Sequence, residues 1–283
     1  MSQVIELYGI STRLTKEPDW APIIRSQHCP FLERKCIKVR KSQPEVSIGT
    51  CIVEYGSPRG PVVICPYRLL ERRRVFTDCL QLLSLHEPGN ELHVVPEITI
   101  PGGSVDYFLA STANGNVRDF VGIELQTLDT TGTVWPERER LLQEKGVDHD
   151  PAAAKSQKPF GMNWKMTAKT ILVQLHHKVE TFEQLDKHLV LVIQDRFLEY
   201  VRTQFRFDHI GGPRSGDPLH IHTYSTLPQK DGAFRIQLAS RFSTDSQGIA
   251  QSLGLLASPK VELAEIFEQL EAKISDATLL RLA

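Results

Sequence analysis

Acidic residues stand in a short stretch, Val94 to Thr127, at a spacing suited to holding a hard cation. Three strands are readable there, Glu97 to Ile100, Ser104 to Ala110 and Asp119 to Thr127, divided by Pro101-Gly102-Gly103 and by Asn114-Gly115-Asn116. Side chains alternate along a strand, so Glu124 and Gln126 share one face. A three-residue turn centred on Gly115 sets Asp106 directly across from Glu124 and Ser104 across from Gln126. Two facing carboxylates with no basic partner repel each other unless a cation sits between them. Oxygen-only ligands on a partly open face suit Mg²⁺ or Mn²⁺. The plain alternative is a solvated surface hairpin, against which stand Val121, Ile123 and Leu125 around Glu124.

Sulfur chemistry is concentrated upstream. Cys29, Cys36, Cys51 and Cys65 are separated by six, fourteen and thirteen residues, and Cys29-Pro30 and Cys65-Pro66 each set a turn that exposes backbone N–H groups to a thiolate. The runs Thr50 to Tyr55 and Pro61 to Cys65, split by Gly56-Ser-Pro-Arg-Gly60, read as a hairpin presenting two sulfurs. Four buried, unreactive cysteines are the competing reading, since free Cys is among the most buried residue types. The reading taken is a structural metal site of all four, and four thiolates suit iron and zinc equally. Cys79, in the apolar stretch Phe76 to Leu85, is expected in the core.

Asp106, followed after a hairpin by Glu124-Leu125-Gln126, resembles the acidic pair and the E-x-Q variant of the PD-(D/E)xK nuclease core. Cys29-Pro-Phe-Leu, Cys36, Cys51 and Cys65-Pro, together with the Glu124-Leu-Gln-Thr strand, resemble the NotI-type restriction endonucleases, over about Cys29 to Lys178. The resemblance implies an α/β fold, a mixed sheet flanked by helices, with a small N-terminal four-cysteine subdomain holding iron in that family. It implies Mg²⁺ ligation by Asp106 and Glu124, places Gln126 where a lysine usually stands, and makes Glu97 a further acidic member. Val105 stands where a proline often precedes the aspartate. The implied chemistry is metal-assisted hydrolysis of a phosphodiester, with Gln126 positioning water. A neutral amide cannot be the base, which leaves a second carboxylate, metal hydroxide or the substrate phosphate.

These residues need a sheet and helices to position them. Trp164 to Lys178 reads as an amphipathic helix with Trp164, Ala168, Ile171, Leu172 and Leu175 on one face. Lys158, Lys165, Lys169 and Lys178 form an acid-free basic row that could line a DNA backbone. The unbroken apolar run Leu189 to Ile193 is typical of a strand buried on both faces, which favours a mixed sheet over an all-β fold. His220 and His222 alternate in the strand Leu219 to Ser225 and are expected at the sheet surface; His176-His177 is read as structural. The segment His209 to Asp217 lacks the ending of a phosphate-binding P-loop, and its Arg214 is expected to be an exposed loop residue. Val261 to Leu270 reads as a final amphipathic helix that closes the core or makes a dimer contact.

Composition frames the rest. With 283 residues, 41% hydrophobic and 24% charged, the chain reads as an ordinary globular protein. No apolar run approaches a membrane span and Met1-Ser-Gln-Val-Ile-Glu lacks the pattern of a signal peptide, so a cytoplasmic location is expected. The net charge of −1 conceals a cancellation, because Arg25 to Arg74 holds eleven basic and four acidic residues. That block is what a polyanion-facing surface requires. The expected organisation is a basic, DNA-facing four-cysteine subdomain over 1–80 and an endonuclease-like core over 81–283. The expected protein is a Mg²⁺-dependent, sequence-specific type II restriction endonuclease acting on double-stranded DNA as a homodimer. The rivals are a non-catalytic DNA-binding protein with a vestigial core and a structure-specific repair nuclease of the same fold.

Overall fold

The computed structural model describes residues 2–254 and 263–273. Two sheets dominate it. The smaller is antiparallel, built from β1 (Val4–Leu7), β2 (Ile10–Ser11), β3 (Thr50–Tyr55) and β4 (Gly60–Val63) in the order β2-β1-β3-β4. The larger is mixed: β5 (Glu91–Ile100), β6 (Gly103–Ala113), β7 (Asn116–Leu125), β8 (His188–Gln194), β9 (Leu219–Pro228) and β10 (Phe234–Thr244), in the order β10-β9-β8-β7-β6-β5. Strands β5 to β7 form an antiparallel meander, β7-β8-β9 run parallel, and β10 closes the far edge antiparallel.

Helices α1 (Trp135–Glu144) and α2 (Trp164–Gln184) lie in the connection from β7 to β8, as parallel pairing requires, and α3 (Asp195–Gln204) in that from β8 to β9. On one face of the large sheet Ala168, Ile171, Leu172, Leu175, Val179 and Phe182 of α2 pack with Phe108, Leu189, Leu191 and Ile193. On the other, Leu69, Leu70, Val75, Phe76, Cys79 and Leu82 pack with Val121, Ile123, Val190 and Val192. The sheet is therefore mixed and flanked by helical segments, and Leu189 to Ile193 is buried on both faces as its composition requires. The close fit of α2 depends on Gly122, where a Cβ would fall 2.4 Å from the Phe182 ring.

The β6–β7 turn departs from expectation in an instructive way. It is a two-residue turn with Asn114 at φ 52° and Gly115 at φ 75°, the left-handed pair that Asn-Gly favours. Arg118 is then an extra residue on β7, because Ser111 pairs with Asp119 and Thr112 with Val117. The bulge restores the register expected from a three-residue loop: Tyr107 opposes Ile123 in the last pair of the ladder, and the same register carried one residue further sets Asp106 across from Glu124.

The two halves of the chain share one interior. Cys29 and Cys36 belong to the same apolar cluster as Phe108 and α2. The buried Arg68 donates to Glu6 at 2.6 Å, to Glu71 at 3.0 Å and to the Phe234 carbonyl at 3.0 Å, tying the small sheet to β10. His220 and His222 are not at the sheet surface. Their side chains face the Leu69–Leu82 segment and are 2% and 0% exposed, because that segment covers a face which alternation alone leaves open. The last described helix, α4 (Leu263–Glu271), leaves Ile266, Phe267 and Leu270 exposed, so these three do not close the core; Val261 lies outside the described residues. Among the described residues no helix is long and apolar enough to cross a membrane.

Candidate functional site

Three adjacent strands carry one carboxylate each at neighbouring register positions. Pairing of Val105 with Ile98 and of Tyr107 with Pro96 puts Asp106 opposite Glu97, while the β6–β7 register puts it opposite Glu124. Glu97 is exposed, Asp106 half-buried and Glu124 buried, so the row runs from solvent into the sheet. The Asp106 carboxylate does not point idly: it accepts the Leu125 amide at 2.8 Å, in place of a backbone ladder bond. Glu97 has φ 47°, a left-handed conformation that costs a non-glycine residue about 1–2 kcal/mol. The strained residue lies within the continuous strand β5, beside Pro96, and its charge reaches Asp106.

The group that sequence reasoning missed is the cation. Lys178 was expected to line a DNA-facing helix surface, but it is 6% exposed and its ammonium sits 2.6 Å from Glu124 Oε1 and 2.5 Å from the Ser104 carbonyl. The facing carboxylates therefore do have a basic partner, supplied by α2 rather than by their own strands. The signal lay in the helix period. Lys178 falls on the stripe that contains Ile171, Leu175 and Phe182, so its position is a core position. Lys165 and Lys169 do face solvent.

Burial dominates the electrostatics of the row. Desolvation pushes Glu124 up to about 7, against the hydrogen bond from Lys178, with the Asp106 charge adding to the rise. Asp106 is raised by desolvation, opposed by the Leu125 amide and Lys178 and assisted by Glu97. Tyr67 and Tyr107 are also raised, first by burial and then by neighbours that include Asp106 and Glu97; Arg34 acts on both in the opposite direction. Tyr67 and Arg34 belong to the cysteine-rich part of the chain, which thus reaches the carboxylate row.

Gln126 is positioned differently. Its amide N–H continues the ladder to the Val192 carbonyl at 3.0 Å, and its side-chain amide donates to the Thr127 carbonyl at 2.6 Å. It lines a cavity of about 520 Å³ between the small sheet and the segment that follows β7. No contact joins it to Asp106 or Glu124 among the bonds of the described residues.

All five cysteines are free and buried. The backbone amides of Phe31 and Leu32 lower the Cys29 thiol, that of Tyr67 the Cys65 thiol and that of Gly9 the Cys51 thiol, while in the two Cys-Pro turns the Leu32 and Arg68 amides donate to the Cys29 and Cys65 carbonyls at 3.3 and 3.0 Å. Burial raises the thiols of Cys29, Cys51 and Cys65, and the charges of Cys29 and Cys36 reach Cys65 while that of Cys65 reaches Cys51. The Cys51 thiol donates to the Gly49 carbonyl at 3.4 Å. Among the described residues no group of three or more His, Cys, Asp or Glu side chains is arranged to hold a metal ion. By donor type alone, four buried thiols are what a thiophilic ion takes and carboxylate oxygens what a hard ion takes. Cys79 is fully buried and its thiol donates to the Val75 carbonyl at 3.0 Å.

The basic block is only partly a surface. Arg68 is buried in its ion pairs with Glu6 and Glu71, whereas Arg72, Arg73 and Arg74 are exposed in succession, the first two in left-handed conformations. No protein-family model matches the chain, and no curated protein matches it.

Proposed function

We propose that the chain is a Mg²⁺-dependent endonuclease of double-stranded DNA, a cytoplasmic type II restriction-like enzyme with a PD-(D/E)xK-like core. The observation that carries the reading is the alignment of Glu97, Asp106 and Glu124 across three neighbouring strands with the Lys178 ammonium 2.6 Å from Glu124. Asp106 and Glu124, with Glu97 at the open end, would hold the ion through oxygen, and the remaining positions fall to water and substrate phosphate, as Mg²⁺ prefers. A bound Mg²⁺ supplies Lewis-acid polarisation of the phosphate and a more acidic water. Lys178 fixes the rotamer of Glu124 and offsets its buried charge. Its ammonium has one further donor, after Glu124 and Ser104, to direct at an attacking water or a phosphate oxygen. In that role it does what Gln126, turned towards the Thr127 carbonyl, does not.

Cys29, Cys36, Cys51 and Cys65 would hold a structural iron or zinc ion, which would anchor the two segments bearing Arg34 and Tyr67 near the carboxylate row. Arg72, Arg73 and Arg74 with Lys165 and Lys169 supply exposed positive charge for the DNA backbone. The apolar Ile266, Phe267 and Leu270 of α4 supply a surface for a homodimer. The test is digestion of defined plasmids with Mg²⁺. Discrete fragments of constant size support site-specific cleavage; random degradation or cutting only at junctions and nicks points to the repair-nuclease reading; bound but intact DNA points to the non-catalytic one.

A further inference from the structure

We infer that the cavity bordered by Gln126 receives a single nucleotide withdrawn from the duplex stack, an inference that rests on the nuclease reading of the neighbouring carboxylates. The cavity, about 520 Å³, has a volume ordinary for a small-molecule site. It lies beyond the C-terminal end of β7 and includes Leu125, one residue along the chain from Glu124, although none of the three carboxylates lines it. Ligands of parallel α/β sheets bind at that end of the strands.

Its lining has the chemistry of a nucleotide's surroundings. Lys38, Thr50, Gln126, Asp129 and Thr133 provide a cation, two hydroxyls, an amide and a carboxylate, and Pro66 is among the apolar residues between them. A nucleobase has apolar faces and an edge of mixed donors and acceptors, and its phosphate is an anion. The Lys38 ammonium gives one hydrogen bond to the Ile64 carbonyl at 2.6 Å, leaving two donors for a phosphate. The Gln126 amide retains its carbonyl as acceptor and one N–H as donor after its bond to Thr127, enough to meet a base edge in two places.

Thr50 is the independent sign that something polar belongs here. Its side chain is 2% exposed and its Oγ1 has no hydrogen-bond partner, although it lines a cavity otherwise rich in polar groups. A buried hydroxyl without a partner costs about 1–3 kcal/mol, a cost removed when a ligand group bonds to it. The cavity wall is shared by the basic, cysteine-rich part of the chain and the loop after β7, so DNA held across both would present its nucleotides at the opening. Withdrawing a nucleotide from a duplex costs a few kcal/mol of unstacking and unpairing, which contacts in such a pocket would offset.

The test is titration of the full chain with each of the four deoxynucleoside 5′-monophosphates in EDTA, followed by calorimetry, with deoxyribose 5-phosphate as the base-free control. At least one monophosphate is expected to bind, the sugar phosphate to bind at least about tenfold more weakly, and Thr50→Val to weaken the nucleotide roughly fivefold or more. Thr50→Val is expected to unfold at the same temperature as the parent or higher, since it deletes the unpartnered hydroxyl. Asp106→Ala is expected to retain monophosphate binding while losing cleavage. Absence of binding by all four at millimolar concentration, equal affinity for the sugar phosphate, or unaltered affinity in both Thr50→Val and Asp129→Asn overturns the inference. Loss of binding with cleavage intact removes only this pocket; binding without cleavage removes only the nuclease reading.

Discussion

Lys178 and Glu124 stand 54 residues apart in the chain and 2.6 Å apart in the fold, the helix α2 returning across the sheet to set an ammonium against a carboxylate. Neither strand β6 nor β7 carries this cation, so the pairing is a product of tertiary structure. Removing one partner of a buried pair leaves an uncompensated charge, which costs about 3–5 kcal/mol. Lys178→Met is therefore expected to lower the urea unfolding free energy by about that amount, and Lys178→Met with Glu124→Gln to recover a large part of it. Additive losses in the double variant would show that the two groups do not act as a pair.

Glu97 separates stability from function. Its φ of 47° suits glycine, so Glu97→Gly is expected to leave stability unchanged or raise it by up to about 1 kcal/mol, while the lost carboxylate weakens Mg²⁺-dependent cleavage. Thermal unfolding and cleavage rate measured on the same preparation check both halves. A destabilised variant with full activity would reverse the assignment.

The buried histidines govern acid sensitivity. Burial depresses His222 to about 3, with Arg241 and His220 adding to it, and depresses His220 to about 4, with His188 adding and Asp217 opposing. Cys79 lies 4.0 Å from His222 Nδ1, and Asp78 bonds Tyr224 on the same face. In the unfolded chain both histidines take up a proton near 6.5, whereas in the folded chain they do so only near 4 and 3. Their contribution to stability is therefore fully present above pH 6.5 and is lost as the pH falls towards 4 and 3, at up to about 1.4 kcal/mol per pH unit for each. Glu6, raised to about 6 chiefly by burial, works in the opposite direction between its ordinary value and 6. Urea unfolding of His222→Phe between pH 7 and pH 5 isolates one histidine. Its stability is expected to fall less steeply than the parent's, and parallel pH profiles would contradict the assignment.

The proposed metal site divides the cysteines four to one. Iron or zinc is expected to copurify with the chain, to be lost in serine variants at Cys29, Cys36, Cys51 or Cys65, and to be retained in Cys79→Ser. Elemental analysis of purified proteins decides this. A metal-free parent, or equal loss on replacing Cys79, would contradict it.

Local chemistry made much of the sheet legible. Asn114-Gly115, the apolar run Leu189 to Ile193 and the alternating β6 and β7 segments each carry their conformation in a few adjacent residues, so the meander and the Asp106–Glu124 alignment follow from the sequence. What was not legible depends on surfaces brought together from afar. The depth of Lys178 depends on the contact between Gly122 and Phe182, and the burial of His220 and His222 on a cover contributed by residues 69–82. Gln126 follows Glu124 by two positions and would share its face, but β7 ends at Leu125 and the chain turns its side chain towards the Thr127 carbonyl. The Arg118 bulge compensated for a wrong turn length, so the register was right for a partly wrong reason.

The central claim is that Asp106 and Glu124 are the metal-binding carboxylates of a DNA endonuclease, and cleavage of plasmid DNA in Mg²⁺ and in EDTA by the parent, Asp106→Asn and Glu124→Gln tests it most directly. The expected result is discrete fragments from the parent in Mg²⁺ alone and a rate lower by a factor on the order of 10³ in either variant, the scale of losing transition-state stabilisation worth roughly 4 kcal/mol. DNA left uncut by the parent, or cut equally by both variants, would contradict it.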